Sequence, residues 1–159
     1  MKALVRVAAL ILACGMSANV LADTGKQITA QAGIDEGGLI LGAHFNVTDT
    51  ANEAYGGYAR VYSKDKERGQ PTIFAVGASF TGRVRAGIFE YYLTPGFGLM
   101  HHTLEQSELL FGPSLAYGLH AELDKLVSLG VENAKLYSWV GEYKGLIKDS
   151  FLVQVRFNI

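Results

Sequence analysis

The chain has one cysteine, three prolines and one tryptophan in 159 residues. The cysteine, Cys14, lies in an apolar N-terminal segment. Residues 23–159 therefore hold no thiol, no disulfide and no thiolate metal ligand. Few positions are closed to a β-ladder when proline is so scarce. Neither sign of charge dominates, with 14 basic side chains against 15 acidic and a net charge of −1. There is no basic field to hold nucleic acid. Past residue 22 no apolar run reaches the ~20 residues that a membrane-crossing helix needs. No internal repeat and no helical period of useful length is visible.

What the chain has in quantity is glycine, with 19 residues, and aromatic rings, with eight tyrosines and eight phenylalanines. It also alternates. In the last nine residues Phe151, Val153, Val155, Phe157 and Ile159 share one face of an extended strand. Gln154, Arg156 and Asn158 share the other with Leu152. Period two with an unbroken apolar face is the pattern of a β-strand.

The first 22 residues have a different character. Lys2 and Arg6 precede an apolar stretch from Val7 to Met16, and Val20-Leu21-Ala22 closes the segment. This is the layout of a secretory signal peptide cleaved after Ala22, leaving residues 23–159 as one domain. A rival reading takes Leu10-Ile11-Leu12-Ala13-Cys14 as a lipoprotein signal with Cys14 lipidated. Arg6 crowds that box and ranks it second.

Seven further alternating segments precede the terminal one. They run at about 27–35, 39–48, 55–63, 72–82, 91–103, 108–122 and 126–139, with the last at about 150–159. Residues 83–90 read as a long turn or a strand extension. Pro95 and Pro113 would each remove a ladder bond, so a bulge or a strand start is expected there. Eight strands of about 10 residues in even antiparallel order predict an all-β, eight-stranded, up-and-down transmembrane barrel. The connections after strands one, three, five and seven would then face outward, at about 36–38, 64–71, 101–107 and 140–149. Tyr137, Trp139 and Tyr143 near the outer end, and Tyr55, Tyr91 and Phe157 nearer the inner end, suit two aromatic girdles.

In this register Arg60, Glu122, Glu132 and Arg156 point inward, with Gln31, His44, His120 and Gln154. An interior of this size is just wide enough to be filled by side chains, and charges within it must be paired. The expectation is a polar network that plugs the lumen, with Glu122 or Glu132 against Arg156, rather than a narrow pore.

One cluster carries catalytic residue types: His101, His102, Glu105 and Ser107, at the outer rim of strands five and six. A histidine base, a serine nucleophile and an orienting carboxylate are the parts of an acyl-transfer site. Adjacent strand residues point to opposite faces, however, so His101 and His102 do not converge. The same geometry argues against a metal site, because strand ligands favour i, i+2 spacing and no third histidine or cysteine is near. No cofactor is expected.

The leader, the eight alternating strands and the terminal strand together resemble the small bacterial outer-membrane barrels of the OmpX, OmpA-barrel and opacity class. The glycine-rich strands and short loops are also similar to the YfaZ-like outer-membrane family. The resemblance implies residence in the outer membrane among lipid and lipopolysaccharide, and delivery by the barrel-assembly machinery. Ile159 stands where the class usually ends in phenylalanine. Members serve as envelope-structural or surface-interaction proteins, which makes a non-enzymatic role the leading expectation. Two alternatives remain. Outer-membrane lipid A deacylases use a His/Ser/Glu set on a barrel of this size, with a His-Ser dipeptide that this sequence lacks. A periplasmic lipocalin-like barrel would turn its apolar faces inward around a ligand.

Overall fold

The structure, a computed structural model, describes residues 25–35, 38–63, 72–103, 107–139 and 145–159. The leader, Tyr143 and Glu105 lie outside the described residues. The strands are β1 (Lys26–Asp35), β2 (Gly38–Thr50), β3 (Glu53–Tyr62), β4 (Thr72–Ala86), β5 (Phe89–Thr103), β6 (Ser107–Glu122), β7 (Val127–Ser138) and β8 (Gly145–Asn158). Each pairs antiparallel with the next, and β1 pairs with β8, so the sheet closes into a barrel. The end carrying Lys26 and Asn158 is called the lower end below.

The alternation of the sequence becomes an inside and an outside. On β8 Leu152, Gln154 and Arg156 are buried, while Phe151, Val153 and Phe157 are exposed. β1 repeats this, with Gln27, Thr29 and Gln31 buried and Ile28, Ala30 and Ala32 turned out. Apolar side chains that a water-soluble protein would bury stand on the outer surface, among them Phe45, Tyr55, Phe97, Leu99 and Phe111. Most of the buried polar groups are inside.

Residues 83–90 form no long turn. β4 runs on to Ala86 and β5 starts at Phe89, with a tight turn at Gly87 and Ile88. Gly87 has φ 65°, a conformation that glycine adopts without steric cost. Neither proline makes a bulge. The register is continuous across Pro95, but the β4–β5 ladder stops at Ser79–Gly96 and resumes at Gly82–Leu93, leaving the imide nitrogen at a gap. Pro113 sits where the β6–β7 ladder ends at Ser114–Leu136. The register shifts fall elsewhere, at Thr48/Thr50 and Leu136/Tyr137.

Glycines on the inner face make room for the largest lumen side chains. Tyr58 lies across Gly77 and Gly98, Tyr92 across Gly118, and His120 across Gly130. A Cβ at Gly118 would stand 2.5 Å from Tyr92 Oη and 2.2 Å from the Val131 carbonyl oxygen. Overpacking of this kind costs ~1–3 kcal/mol. Gly118→Val should lower the urea midpoint of the folded protein accordingly, with Gly82→Ala, where a Cβ meets nothing within 4 Å, as the neutral control.

Candidate functional site: the lumen

Three levels fill the barrel. The lowest is built on Glu90, contributed by the lower end of β5. Its carboxylate ion-pairs with Arg156 from β8. It also faces Arg83 at 3.9 Å and Arg85 at 3.0 Å. Arg83 further donates to Gln27 Oε1 and Thr48 Oγ1, each at 3.1 Å. Arg156 donates to Ser128 Oγ at 3.3 Å and approaches His120 Nδ1 at the same distance. Glu122 lies at the mouth, partly exposed, where Arg85 reaches it at 3.2 Å.

The middle level is built on Glu132. Arg60 donates to its Oε1 at 2.6 Å, Gln31 to the same oxygen at 3.1 Å and the Tyr92 hydroxyl to Oε2 at 2.9 Å. Gln154 donates to the Tyr92 hydroxyl and accepts from Gln31. Arg60 also donates to Gln31 Oε1 and lies over the Tyr58 ring. His44 shares a 2.8 Å hydrogen bond with Ser79, and Thr81 one of 2.9 Å with Thr94. Glu132, Arg60, Gln31, Tyr92 and Gln154 come from β7, β3, β1, β5 and β8, so the network ties the barrel across its diameter.

The upper level changes character. Lys148 and Asp35 pair at 2.6 Å, and beside them Ile40, Tyr62, Ile73, Met100, Leu110, Leu136 and Leu152 form an apolar cluster inside the barrel. The Tyr62 ring lies under the Lys148 ammonium at 5.6 Å. The interior is thus a polar network capped by a greasy layer.

Between Glu90, Tyr92, Glu132, Arg156 and their neighbours a cavity of about 20 Å³ remains. That is room for about one water molecule. His44 and Ser79 have the types of a base and a nucleophile, but a space of that size admits no substrate. Among the described residues no group of three His, Cys, Asp or Glu side chains could hold a metal.

Of the residues singled out in the sequence, Arg60, Glu132, Gln154, Arg156, His44 and His120 all enter the lumen and are buried. Arg156 meets Glu90 rather than Glu122 or Glu132. Glu90, Arg83 and Tyr92 are the contributors that sequence reasoning missed. Glu90 and Arg83 fall in the stretch left between turn and strand. Tyr92 alternates inward on β5, and that parity was the signal available. His101 is exposed on the outer face of β5, opposite Leu109. His102 and Ser107 are strand residues paired with Glu108 and Thr103.

Comparison with known proteins agrees on the architecture. No family model and no curated protein matches the sequence. Solved structures do. The N-terminal β-barrel domain of Pseudomonas aeruginosa OprF is 10% identical, with a TM-score of 0.70 over 86% of this chain and 98% of that one. Neisserial surface protein A is 13% identical, with a TM-score of 0.61 over 86% and 96%. The Yersinia pestis outer membrane protein Ail in a phospholipid bilayer nanodisc is 11% identical, with a TM-score of 0.54 over 86% and 100%. At these identities the likeness is one of fold: a closed eight-stranded antiparallel barrel.

Proposed function

We propose that this chain is exported, loses its first 22 residues and resides in the bacterial outer membrane as a closed barrel. Its role is structural or interactive rather than catalytic. The observation that carries the reading is the inversion of the barrel: apolar outside, polar and cross-braced inside. Water would penalise the outer face at every exposed Leu, Val and Phe, whereas a bilayer welcomes it. A lipocalin-like carrier needs the opposite arrangement, with an apolar cavity inside. The likeness in fold to an outer membrane protein in a bilayer supports the same location.

The plugged lumen bears on the role. A pore needs a continuous water path, and here ion pairs block the lower two levels and apolar side chains the third. What such a protein offers the cell is its wall, embedded among lipid and lipopolysaccharide, and its short outer connections.

The test has two parts. Unheated membrane extract should show a faster-migrating folded band that converts to the full-length position on boiling, and N-terminal sequencing should begin at Asp23. In planar bilayers the purified protein should give no steady conductance. A band that does not move on heating, together with release by alkaline carbonate, sinks the membrane reading. Discrete conductance steps sink the closed lumen alone.

A further inference from the structure

The outer surface is apolar along the strands, with one interruption. On β7 the outward series Leu129, Val131 continues as Asn133 and Lys135 before returning to Tyr137. On β8 the outward series that rises through Val153 and Phe151 reaches Asp149. The three polar residues meet. Lys135 and Asp149 are register partners and form an ion pair, and Asn133 Nδ2 donates to Asp149 Oδ1 at 2.9 Å. Leu115 stands opposite Lys135 and Tyr117 opposite Asn133 on β6, and Phe151 opposite Asn133 on β8. Tyr137 and half-exposed Trp139 lie beyond the cluster on the same face. The charges are therefore set just inside the upper rim of the apolar belt, below Tyr137 and Trp139.

On the membrane reading above, this cluster faces hydrocarbon. Its internal bonds do not exhaust it. An ammonium has three donors, and Asp149 can occupy only part of them. Charged groups inside a membrane are costly, and as a rule they face protein and not lipid.

We propose that the β7–β8 wall is a lateral self-association surface, on which Lys135 of one copy pairs with the partner's Asp149. The argument for a second copy is complementarity. A two-fold axis along the membrane normal makes a wall face itself with its strand order reversed, so β7 of one barrel stands against β8 of the other. A cation on β7 beside an anion on β8 then produces four charges of alternating sign, each ammonium between two carboxylates. The cluster is neutral in sum, and Asp149 repels a lipid phosphate that Lys135 alone would attract. Two shallow apolar grooves flank it. One, of about 490 Å³, runs over Pro113, Leu115, Tyr137 and Trp139; the other, of about 420 Å³, over Tyr117, Val131 and Phe151. They offer the partner's aromatic side chains somewhere to pack.

The test uses the full chain, exported in a bacterium and carrying Cys14→Ser, with single cysteines introduced at Phe151 and, on the far wall, at Ala59. A short bis-maleimide should join two Phe151→Cys copies and leave Ala59→Cys monomeric. Adding Asp149→Lys makes all four charges positive and should abolish the dimer. Adding Lys135→Asp together with Asp149→Lys restores alternation and should restore it. The unheated-gel shift shows for each variant that the barrel has formed in the membrane, so a failure to insert is told apart from a failure to associate. Equal cross-linking at both positions, a dimer indifferent to Asp149→Lys, or a product joined to a different protein overturns the proposal.

Discussion

Glu132→Leu should lower the unfolding free energy of the barrel by ~3–5 kcal/mol, the range for removing one partner of a buried ion pair. The reason is what remains behind. Arg60 is 3% exposed and has Glu132 as its carboxylate partner at 2.6 Å. Without it a guanidinium stays in a closed lumen with Gln31 as its hydrogen-bonded neighbour, and Tyr92 loses the acceptor for its hydroxyl. Adding Arg60→Met removes the stranded charge. The double variant should recover most of the loss, because an apolar pair of similar volume is often no worse than a buried ion pair. The measurement is a urea titration of the protein in lipid vesicles, read by the folded band on unheated gels. A single substitution that costs under ~1 kcal/mol would mean that water reaches Arg60, and the lumen would then be open.

The second large effect concerns the other face. Ala43 lies midway along β2, paired with Ala30 and Ala59. Ala43→Arg should destabilise by ~2–4 kcal/mol, whereas Leu123→Arg, in the lower connection between β6 and β7, should cost ~0–1 kcal/mol. The contrast with depth is the informative quantity. A barrel in water would be indifferent to the position of an exposed arginine, since both sites would be solvated. Equal and small effects at the two positions would contradict the bilayer reading, and a graded loss towards the middle of each strand would map the hydrocarbon slab directly.

Much of this architecture is legible in the chain, and the limits of that legibility are physical. Period two assigns each side chain to one face, so Tyr58, Arg60 and Tyr62 or Gln154 and Arg156 are placed inward by parity alone. Parity says nothing about height. Strands in a closed barrel are tilted and staggered, so which groups share a level depends on the whole chain of registers. Arg156 and Glu132 are both inward, yet Arg156 meets Glu90 across the lower level while Glu132 meets Arg60 in the middle. The apolar cap shows the same limit. Ile40, Tyr62, Ile73 and Leu110 look like isolated intrusions in four separate strands, and only closure brings them to one level. The prolines depart from the sequence expectation for a different reason. A ladder bond lost at Pro95 is absorbed by a local gap, without the extra residue that a bulge requires.

The pairing of β1 with β8 has a consequence for how the molecule can come into being. Every strand needs two neighbours, and the first strand's second neighbour is the last to be made. Until then an unfinished sheet presents two rows of unsatisfied amides and carbonyls, which hydrocarbon does not tolerate. No smaller barrel lies on the way, so in a bilayer, as proposed above, insertion and closure are expected to be one cooperative event. On the proposed outer-membrane reading, loss of any one strand should leave an unfolded chain and not a seven-stranded protein in the membrane.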